Sequence, residues 1–283
     1  LHRTYSPLGK KFPCMKKTQK ALFPVFISLA VGLLAAGLFA GCGGHAAAPT
    51  ASTVNPGAPS APTPSSGAAP NATKISNIQN QGGWQHCTAA CTNTAVAVFS
   101  LTQGIKSPSQ SGSSARFQML PGTKPFGGVL WFKFLGSANK ATHFLYDLYF
   151  YTDNPSAPQD LEFNVSQSDG KAHYDFSTQC DLMGQRVWRV WDPVHKAWAP
   201  STVPCVQPPP NAWNHLTWEL ERNSAGQVVF TAVTLNGNRG LVNMTMPHSP
   251  DTQSGIDVAF QLDANHIATP YSVWLDQVTL SYW

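Results

Sequence analysis

The segment DLEFNVSQ, residues 160–167, decides the fold class. Its apolar residues Leu161, Phe163 and Val165 alternate with polar ones, which is the pattern of a strand with one buried and one solvated face. The solvated side carries a row of carboxylate and amide groups that includes Glu162. Such a row is typical of a glycosidase active site, of a sugar-binding groove, or of ordinary solvated surface.

The remainder of the chain from residue 74 to residue 283 shows the same kind of pattern. Alternating runs such as HFLYDLYFYT (143–152) and WNHLTWELER (213–222) are separated by turn-rich pieces such as HSPDTQSG (248–255). No segment has a sustained helical period. About eleven predicted strands in one domain favour an all-β fold of two packed antiparallel sheets, a β-sandwich or jelly roll.

The N-terminal residues predict export. Residues 15–41 have a basic start, a long apolar run and small residues before Cys42, as in a secretory signal peptide. The sequence LFAGC (38–42) resembles a bacterial lipobox, whose cysteine is lipidated and becomes the first mature residue. A plain transmembrane anchor is the alternative, because residues 21–40 are about long enough to span a bilayer. Residues 1–14 precede a better methionine start, and we interpret them as an over-extended gene start.

Residues 42–73 consist mainly of Ala, Pro, Ser, Thr and Gly, which predicts an extended tether before the domain. Six of the 18 Lys and Arg residues precede Cys42 and all 14 acidic residues follow it, so the mature chain carries 12 basic and 14 acidic groups. The basic character of the whole sequence belongs to the leader and gives no support for nucleic-acid binding.

Four cysteines remain in the domain: Cys87, Cys91, Cys180 and Cys205. An exported location permits disulfides, and the even number favours two bonds. Of the three possible connectivities, we prefer Cys87–Cys91 together with Cys180–Cys205. A zinc site that includes His86 is the alternative, but the compartment and the lack of paired C-x-x-C motifs disfavour it. We therefore predict no metal ligands among these residues.

The segment from Glu162 to Gln167 reads E-F-N-V-S-Q and resembles the catalytic strand of the concanavalin A-like glucanases, E-x-D-x-x-E when that strand carries a bulge. The resemblance implies a concanavalin A-like jelly roll. It also implies that Glu162 stands at the nucleophile position, Asn164 at the supporting aspartate and Gln167 at the acid/base. Glutamine cannot donate a proton to a leaving oxygen or take one from water. Amides do bond to sugar hydroxyls, so the resemblance implies a glucanase-type groove without the catalytic pair.

Hydrolysis would need a second carboxyl group, and the chain has only three glutamates. Glu219 and Glu221 share one face of their predicted strand with His215. If that face, or Asp147, lay within about 5 to 10 Å of Glu162, a catalytic pair could be rebuilt. The alternative is that these are solvated charges on an outer face. Structural calcium is frequent in folds of this kind, but the acidic residues are too scattered in sequence to assign ligands, and we predict no other cofactor.

A second polar row lies near the end of the chain. In GIDVAFQLDAN (255–265), Asp257, Gln261 and Asp263 alternate with apolar residues. We predict that this row lies near Glu162 and contributes carboxylate and amide groups to the same groove.

Tryptophans are the remaining candidates for sugar contact. Exposed tryptophan beside amides and carboxylates suits the flat C–H faces and the hydroxyls of sugars, although sandwich cores also use tryptophan. In RVWRVWD (186–192), alternation places Trp188 and Trp191 on opposite faces of a strand. We predict that Trp191 is the one that lies outside the core.

The sequence therefore predicts an exported, lipid-anchored protein of the cell envelope, at the outer membrane or cell surface, whose sandwich binds a polysaccharide or glycan without cleaving it. Its partners would be this glycan and, through lipidated Cys42, a membrane, but no nucleic acid. The alternatives are a glycoside hydrolase or polysaccharide lyase with a relocated acid/base, and a surface adhesion domain that binds protein. A concave, open sheet under Glu162, Asn164 and Gln167 would favour the sugar-binding hypotheses.

Overall fold

The computed structural model describes residues 67–283. The predicted gene start (1–14), the signal peptide (15–41) and the lipidated Cys42 lie outside the described residues, as does the tether up to residue 66. Within the described part of the chain, no helix has both the length and the apolar character needed to cross a membrane.

One of the two sheets has eight strands. Their bounds are β1 Thr73–Ile75, β3 Phe99–Ile105, β4 Ser114–Met119, β6 His143–Thr152, β12 Trp213–Arg222, β13 Val228–Leu235, β14 Asn238–Met246 and β17 Tyr271–Tyr282. They are ordered β14-β13-β12-β6-β17-β4-β3 across the sheet, with β1 paired to β17. The last strand of the chain is therefore central, and it joins the first strand to β6 and β4.

The other sheet has nine strands. Their bounds are β2 Gln85–Cys87, β5 Gly128–Gly136, β7 Pro158–Asp169, β8 Ala172–Phe176, β9 Thr178–Asp181, β10 Val187–Asp192, β11 Ala197–Pro204, β15 Ser249–Pro250 and β16 Ser254–Ala264. The order is β11-β10-β9-β7-β16-β5-β2, and β8 pairs with both β7 and β15. The regular secondary structure of residues 67–283 also includes two short helical turns, a 3₁₀ turn at Ile78–Asn80 and α1 at Ala89–Thr92.

Every pair of these strands is antiparallel. The prediction of an all-β, two-sheet antiparallel sandwich of the jelly-roll type is therefore confirmed. Because each sheet has one apolar face, the two apolar faces pack together and the opposite faces are left for polar side chains.

The core lies between the two sheets and is rich in aromatic rings. Trp188 of β10 meets Trp218 of β12 edge to face with ring centroids 5.3 Å apart, and Phe163 of β7 lies 5.4 Å from Phe150 of β6. Trp188 is buried and Trp191 is partly exposed. The predicted division of these two tryptophans between the core and the outside is confirmed.

Both predicted disulfides are present. Cys87 at the end of β2 bonds to Cys91 within α1, and Cys180 bonds to Cys205 across a separation of 25 residues. Cys180 lies in β9 and Cys205 directly follows β11, so the second bond ties the end of the β10–β11 hairpin to β9, the strand beside β10 in the same sheet.

Candidate functional site

The candidate site is the outward side of the nine-stranded sheet, where three central strands carry polar side chains. We call it the polar face; its residues are Asp160, Glu162 and Asn164 of β7, Gln179 and Asp181 of β9, and Gln261 and Asp263 of β16. In β7 these residues alternate with Leu161, Phe163 and Val165, which point into the core. The period of two along each strand thus places every polar side chain on the same side of the sheet.

Strand register brings the polar residues into rows across the sheet. Glu162 lies directly opposite Gln179 on one side and Gln261 on the other. Arg189 of β10 is the register partner of Gln179 and extends this row by one strand. The row therefore alternates charged and amide groups over four adjacent strands, although its members are up to 99 residues apart in sequence.

The carboxylate of Glu162 is held by amides. Its Oε1 accepts hydrogen bonds from Nε2 of Gln179 at 3.1 Å and from Nε2 of Gln261 at 3.0 Å. Its Oε2 accepts one from Nδ2 of Asn164 at 3.4 Å. Asn164 in turn accepts the backbone N–H of Thr178 at 3.0 Å. These bonds fix the orientation of Glu162 on the sheet.

The neighbouring row is strongly acidic. Asp160 lies directly opposite Asp263 on one side and Asp181 on the other. Arg189 reaches both Asp181 at 3.5 Å and Asp160 at 3.9 Å. Asp181 also accepts the backbone N–H groups of residues 184 and 185, which leaves Asp160 and Asp263 as the less compensated pair.

Asp160, Glu162 and Asp263 form what we call the carboxyl cluster, because one carboxylate oxygen from each lies within 4.8 Å of the others. Burial raises the pKa of all three carboxyl groups above the usual range, since water no longer stabilises their charge. Repulsion from Asp263 adds to this effect and raises the pKa of Asp160 and Glu162 further. The cluster therefore favours a bound proton or a bound cation.

Gly128 of β5 makes room for one side of the cluster. It is the register partner of Asp263, and a Cβ at this position would lie 2.1 Å from Oδ1 of Asp263 and 2.7 Å from Oγ1 of Thr94. Only glycine, which lacks a Cβ, leaves space for these two oxygens so close to the backbone.

Aromatic side chains flank the polar face on both sides. On one side Trp191 of β10 is the register partner of Trp198 of β11, with ring centroids 5.4 Å apart. On the other side Phe132 and Phe134 of β5 are the partners of Ala259 and Asp257. Four strand spacings separate β10 from β5, a width of about 19 Å.

The predicted site residues fall into two groups. The structure brings together Glu162, Asn164, Gln261 and Asp263, and it places Trp191 at their flank. Asp257 shares the same side of the sheet but lies at the other end of β16, where it accepts a hydrogen bond from Ser166 at 2.7 Å.

The expected position of Gln167 is wrong. The pairing of β7 with β16 runs without a shift from Asp169 to Asp160, so the strand has no bulge between Glu162 and Gln167. Without a bulge an odd spacing reverses the direction of the side chain. Gln167 accordingly points to the core side, is fully buried, and donates from Nε2 to the carbonyl oxygens of Ala138 and Ala141.

The expected alternative partners of Glu162 are also misplaced. Glu219, Glu221 and Asp147 lie on β12 and β6 of the eight-stranded sheet, and they face away from the core that separates the two sheets. Stacked sheets are about 10 Å apart, so outward side chains of opposite sheets cannot meet. Glu219 instead forms a bidentate ion pair with Arg239, at 2.7 and 2.8 Å.

Sequence analysis missed Asp160, Gln179, Asp181 and Arg189 as site residues. The signal for Asp160 was present, because it continues the alternation of Glu162 and Asn164. Gln179 and Asp181 flank Cys180 in the four-residue strand β9, which is too short to show a period. Their role follows only from the pairing of β9 with β7.

Comparisons with known proteins concern the fold alone. No protein-family model and no curated protein matches the chain. Solved structures similar to it include a conserved carbohydrate esterase from the Shiga toxin-encoding bacteriophage phi24B, with 14% identity, a TM-score of 0.42, and coverage of 75% of this chain and 99% of that one. A mutant of the alginate lyase Aly36B, in complex with alginate trisaccharide, has 10% identity, a TM-score of 0.40, and coverage of 73% and 97%.

A third similar structure is lectin I from Ulex europaeus in complex with the methyl glycoside of α-L-fucose, with 10% identity, a TM-score of 0.40, and coverage of 74% and 98%. At these identities and TM-scores the likeness carries no argument about ligand or activity. Function has to be argued from the polar face itself.

Proposed function

We propose that the polar face binds a polysaccharide or glycan and does not cleave it. The observation that carries this proposal is the arrangement of amide and carboxyl groups between two aromatic flanks. Gln179, Glu162 and Gln261 are only 3%, 6% and 6% exposed, so sugar hydroxyl groups would meet the outermost atoms of these amide and carboxyl groups. Trp191 and Phe132 on either side offer rings to the C–H faces of sugars. A width of about 19 Å suits several sugar units better than a single one.

A second candidate function is glycoside hydrolysis, and one observation favours it. Glu162 has two carboxyl neighbours in the cluster, Asp160 and Asp263. Sequence analysis placed Asp263 in the same groove but not as a catalytic partner, and it did not single out Asp160. Retaining hydrolases place two carboxyl groups about 5 to 5.5 Å apart and raise the pKa of one. Against this, both carboxylate oxygens of Glu162 already accept hydrogen bonds from amides, which suits a fixed polar group better than a nucleophile or a proton donor.

The test is retardation of the protein in native gels that contain single polysaccharides: β-glucans, xylans, mannans or pectins. The full chain is used with Cys42→Ser to prevent lipidation. Gln261→Ala and Trp191→Ala remove groups of the polar face and its flank. Gln118→Ala and Trp213→Ala make the same changes in the eight-stranded sheet and serve as matched controls.

Retardation by one polysaccharide class, lost in the first two variants and kept in the two controls, supports the binding proposal. New reducing ends in that polysaccharide, abolished by Glu162→Gln, would instead establish hydrolysis. Absence of retardation across the panel would contradict glycan binding and favour the alternative of a surface domain that binds protein.

Export and lipid anchoring through Cys42 are also our proposal, supported by the signal-like residues 15–41 and the lipobox-like residues 38–42. Cells are labelled with a fatty-acid analogue, and the protein is followed in membrane and soluble fractions. Cys42→Ser should lose the label and leave the membrane fraction, while Ser60→Ala in the predicted tether should behave as the wild type. Retention of the unlabelled Cys42→Ser variant in membranes would indicate a plain transmembrane anchor.

A further inference from the structure

We propose that the carboxyl cluster of Asp160, Glu162 and Asp263 binds one calcium ion. The first reason is geometric. Two oxygens that both lie about 2.4 Å from one calcium ion are at most about 4.8 Å apart, and one carboxylate oxygen from each of the three residues meets this condition. The three strands β7, β16 and β5 hold this arrangement, because Asp160 and Asp263 are register partners and Gly128 leaves room beside them.

Buried oxygens without hydrogen-bond partners give the second, independent reason. Oδ1 of Asp160, Oδ1 of Asp263 and Oε1 of Gln179 have no partner within residues 67–283. These residues are only 5%, 6% and 3% exposed, respectively. Gln179 belongs to the same group, because its Nε2 donates to Glu162 at 3.1 Å. Buried acceptors without a partner are costly, and a cation would satisfy several of them together.

The distribution of charge gives the third reason. Three aspartates lie directly opposite one another in the row Asp181–Asp160–Asp263, where like charges destabilise a sheet. Arg189 compensates the Asp181 end of this row. Within the described part of the chain, neither Glu162 nor Asp263 forms an ion pair with a basic side chain. The excess negative charge therefore lies at the Asp263 end, beside Gly128.

The donor atoms select calcium over other cations. The cluster consists of carboxylates, with the amide of Gln179 bonded to it, and contains neither histidine nor cysteine, which excludes a typical zinc site. Magnesium demands near-ideal octahedral geometry at about 2.0 to 2.1 Å, whereas calcium accepts six to eight oxygens in irregular arrangements. Oγ1 of Thr94 lies beside the same glycine as Oδ1 of Asp263 and offers a further oxygen. This inference is independent of glycan binding, and its test contains no glycan.

The experiment uses the full chain with Cys42→Ser, freed of metal by a chelator and dialysed. Thermal unfolding is followed in calcium, in magnesium and in chelator, and calorimetry with calcium alone gives the stoichiometry. At a hundredfold excess over its Kd, calcium should raise the unfolding midpoint by about 5 to 10 °C, with one ion per chain. Asp263→Asn and Glu162→Gln should each weaken calcium binding at least tenfold, whereas Glu221→Gln on the other sheet should leave it unchanged.

The sign of the Asp263→Asn effect separates the proposal from its main rival, a proton shared between carboxyl groups. With calcium bound, the variant should unfold at a lower temperature than the wild type, because it loses a ligand. In chelator it should unfold at a higher temperature, because a buried like charge is gone. A wild-type midpoint that calcium does not move would overturn the proposal, and an equal shift with magnesium would overturn the choice of calcium.

Discussion

Loss of the Cys180–Cys205 disulfide should destabilise the domain by an amount that its loop length sets. The bond closes a loop with a sequence separation of 25 residues. Loop-closure entropy of the unfolded chain then gives a contribution of about 3.5 kcal/mol at 25 °C. For a domain of this size, that amount corresponds to a fall in Tm of about 7 to 14 °C. The double variant Cys180→Ala/Cys205→Ala should show it in urea and thermal unfolding.

The Cys87–Cys91 disulfide is the matched control within the same chain. Its sequence separation is 4 residues, for which the same relation gives about 2 kcal/mol. Cys87→Ala/Cys91→Ala should therefore lose clearly less stability than the first double variant. The reduced wild-type protein keeps all four sulfur atoms, so it separates loop closure from lost packing. Equal losses for the two pairs, or a loss below about 1 kcal/mol for Cys180–Cys205, would refute the reasoning.

Three further predictions concern single residues. Gly128→Ala should destabilise the fold by about 1 to 3 kcal/mol in urea unfolding, because its Cβ would meet a carboxylate oxygen at 2.1 Å, whereas Gly82→Ala, with open space around it, should not. The hydrogen bond to Asp147 raises the pKa of His215, so below about pH 6.5 this pair should add less than about 1 kcal/mol to the free energy of unfolding. This contribution should be lost as the pH rises through the folded pKa of His215, and His215→Gln should remove the pH dependence in urea unfolding. Burial raises the pKa of Asp276, but hydrogen bonds to its carboxylate outweigh this and lower it, so the carboxylate stabilises the fold at neutral pH and this stability is lost as the pH falls through the folded pKa. In urea unfolding, Asp276→Asn should be less stable than the wild type at neutral pH and should lose less stability on acidification.

The fold class could be predicted because alternation is a local property of a strand. HFLYDLYFYT and WNHLTWELER have the bounds of β6 and β12, and DLEFNVSQ lies within β7. Strands whose sequence hides the period were missed. β14, Asn238–Met246, begins with polar residues and a glycine, and β11, Ala197–Pro204, contains two prolines.

The candidate site could be predicted only in part, because cross-strand register is not a local property. That Glu162 and Asn164 share a face follows from their spacing alone. The position of Gln167 depended on a bulge, and whether a bulge exists is decided by pairing with β16, about ninety residues further along the chain. The contact of Asp160 with Asp263 depends on the same pairing, so the carboxyl cluster could not be derived from either strand by itself.

The pairing of β1 with β17 has a mechanical consequence. A pulling force applied through the N-terminal segment enters the domain at β1, whose three residues pair with β17 and of which Ile75 also packs against the core. The next residues on the force path are Ile78 and Gln79, which are fully buried, and Gln79 accepts the backbone N–H of Val278 at 3.0 Å. Under load, β1 should peel first and release about 10 Å of chain before that buried turn bears the strain. The N-terminal end of the domain thus has a short strand that should yield first under force, on the sheet opposite the polar face.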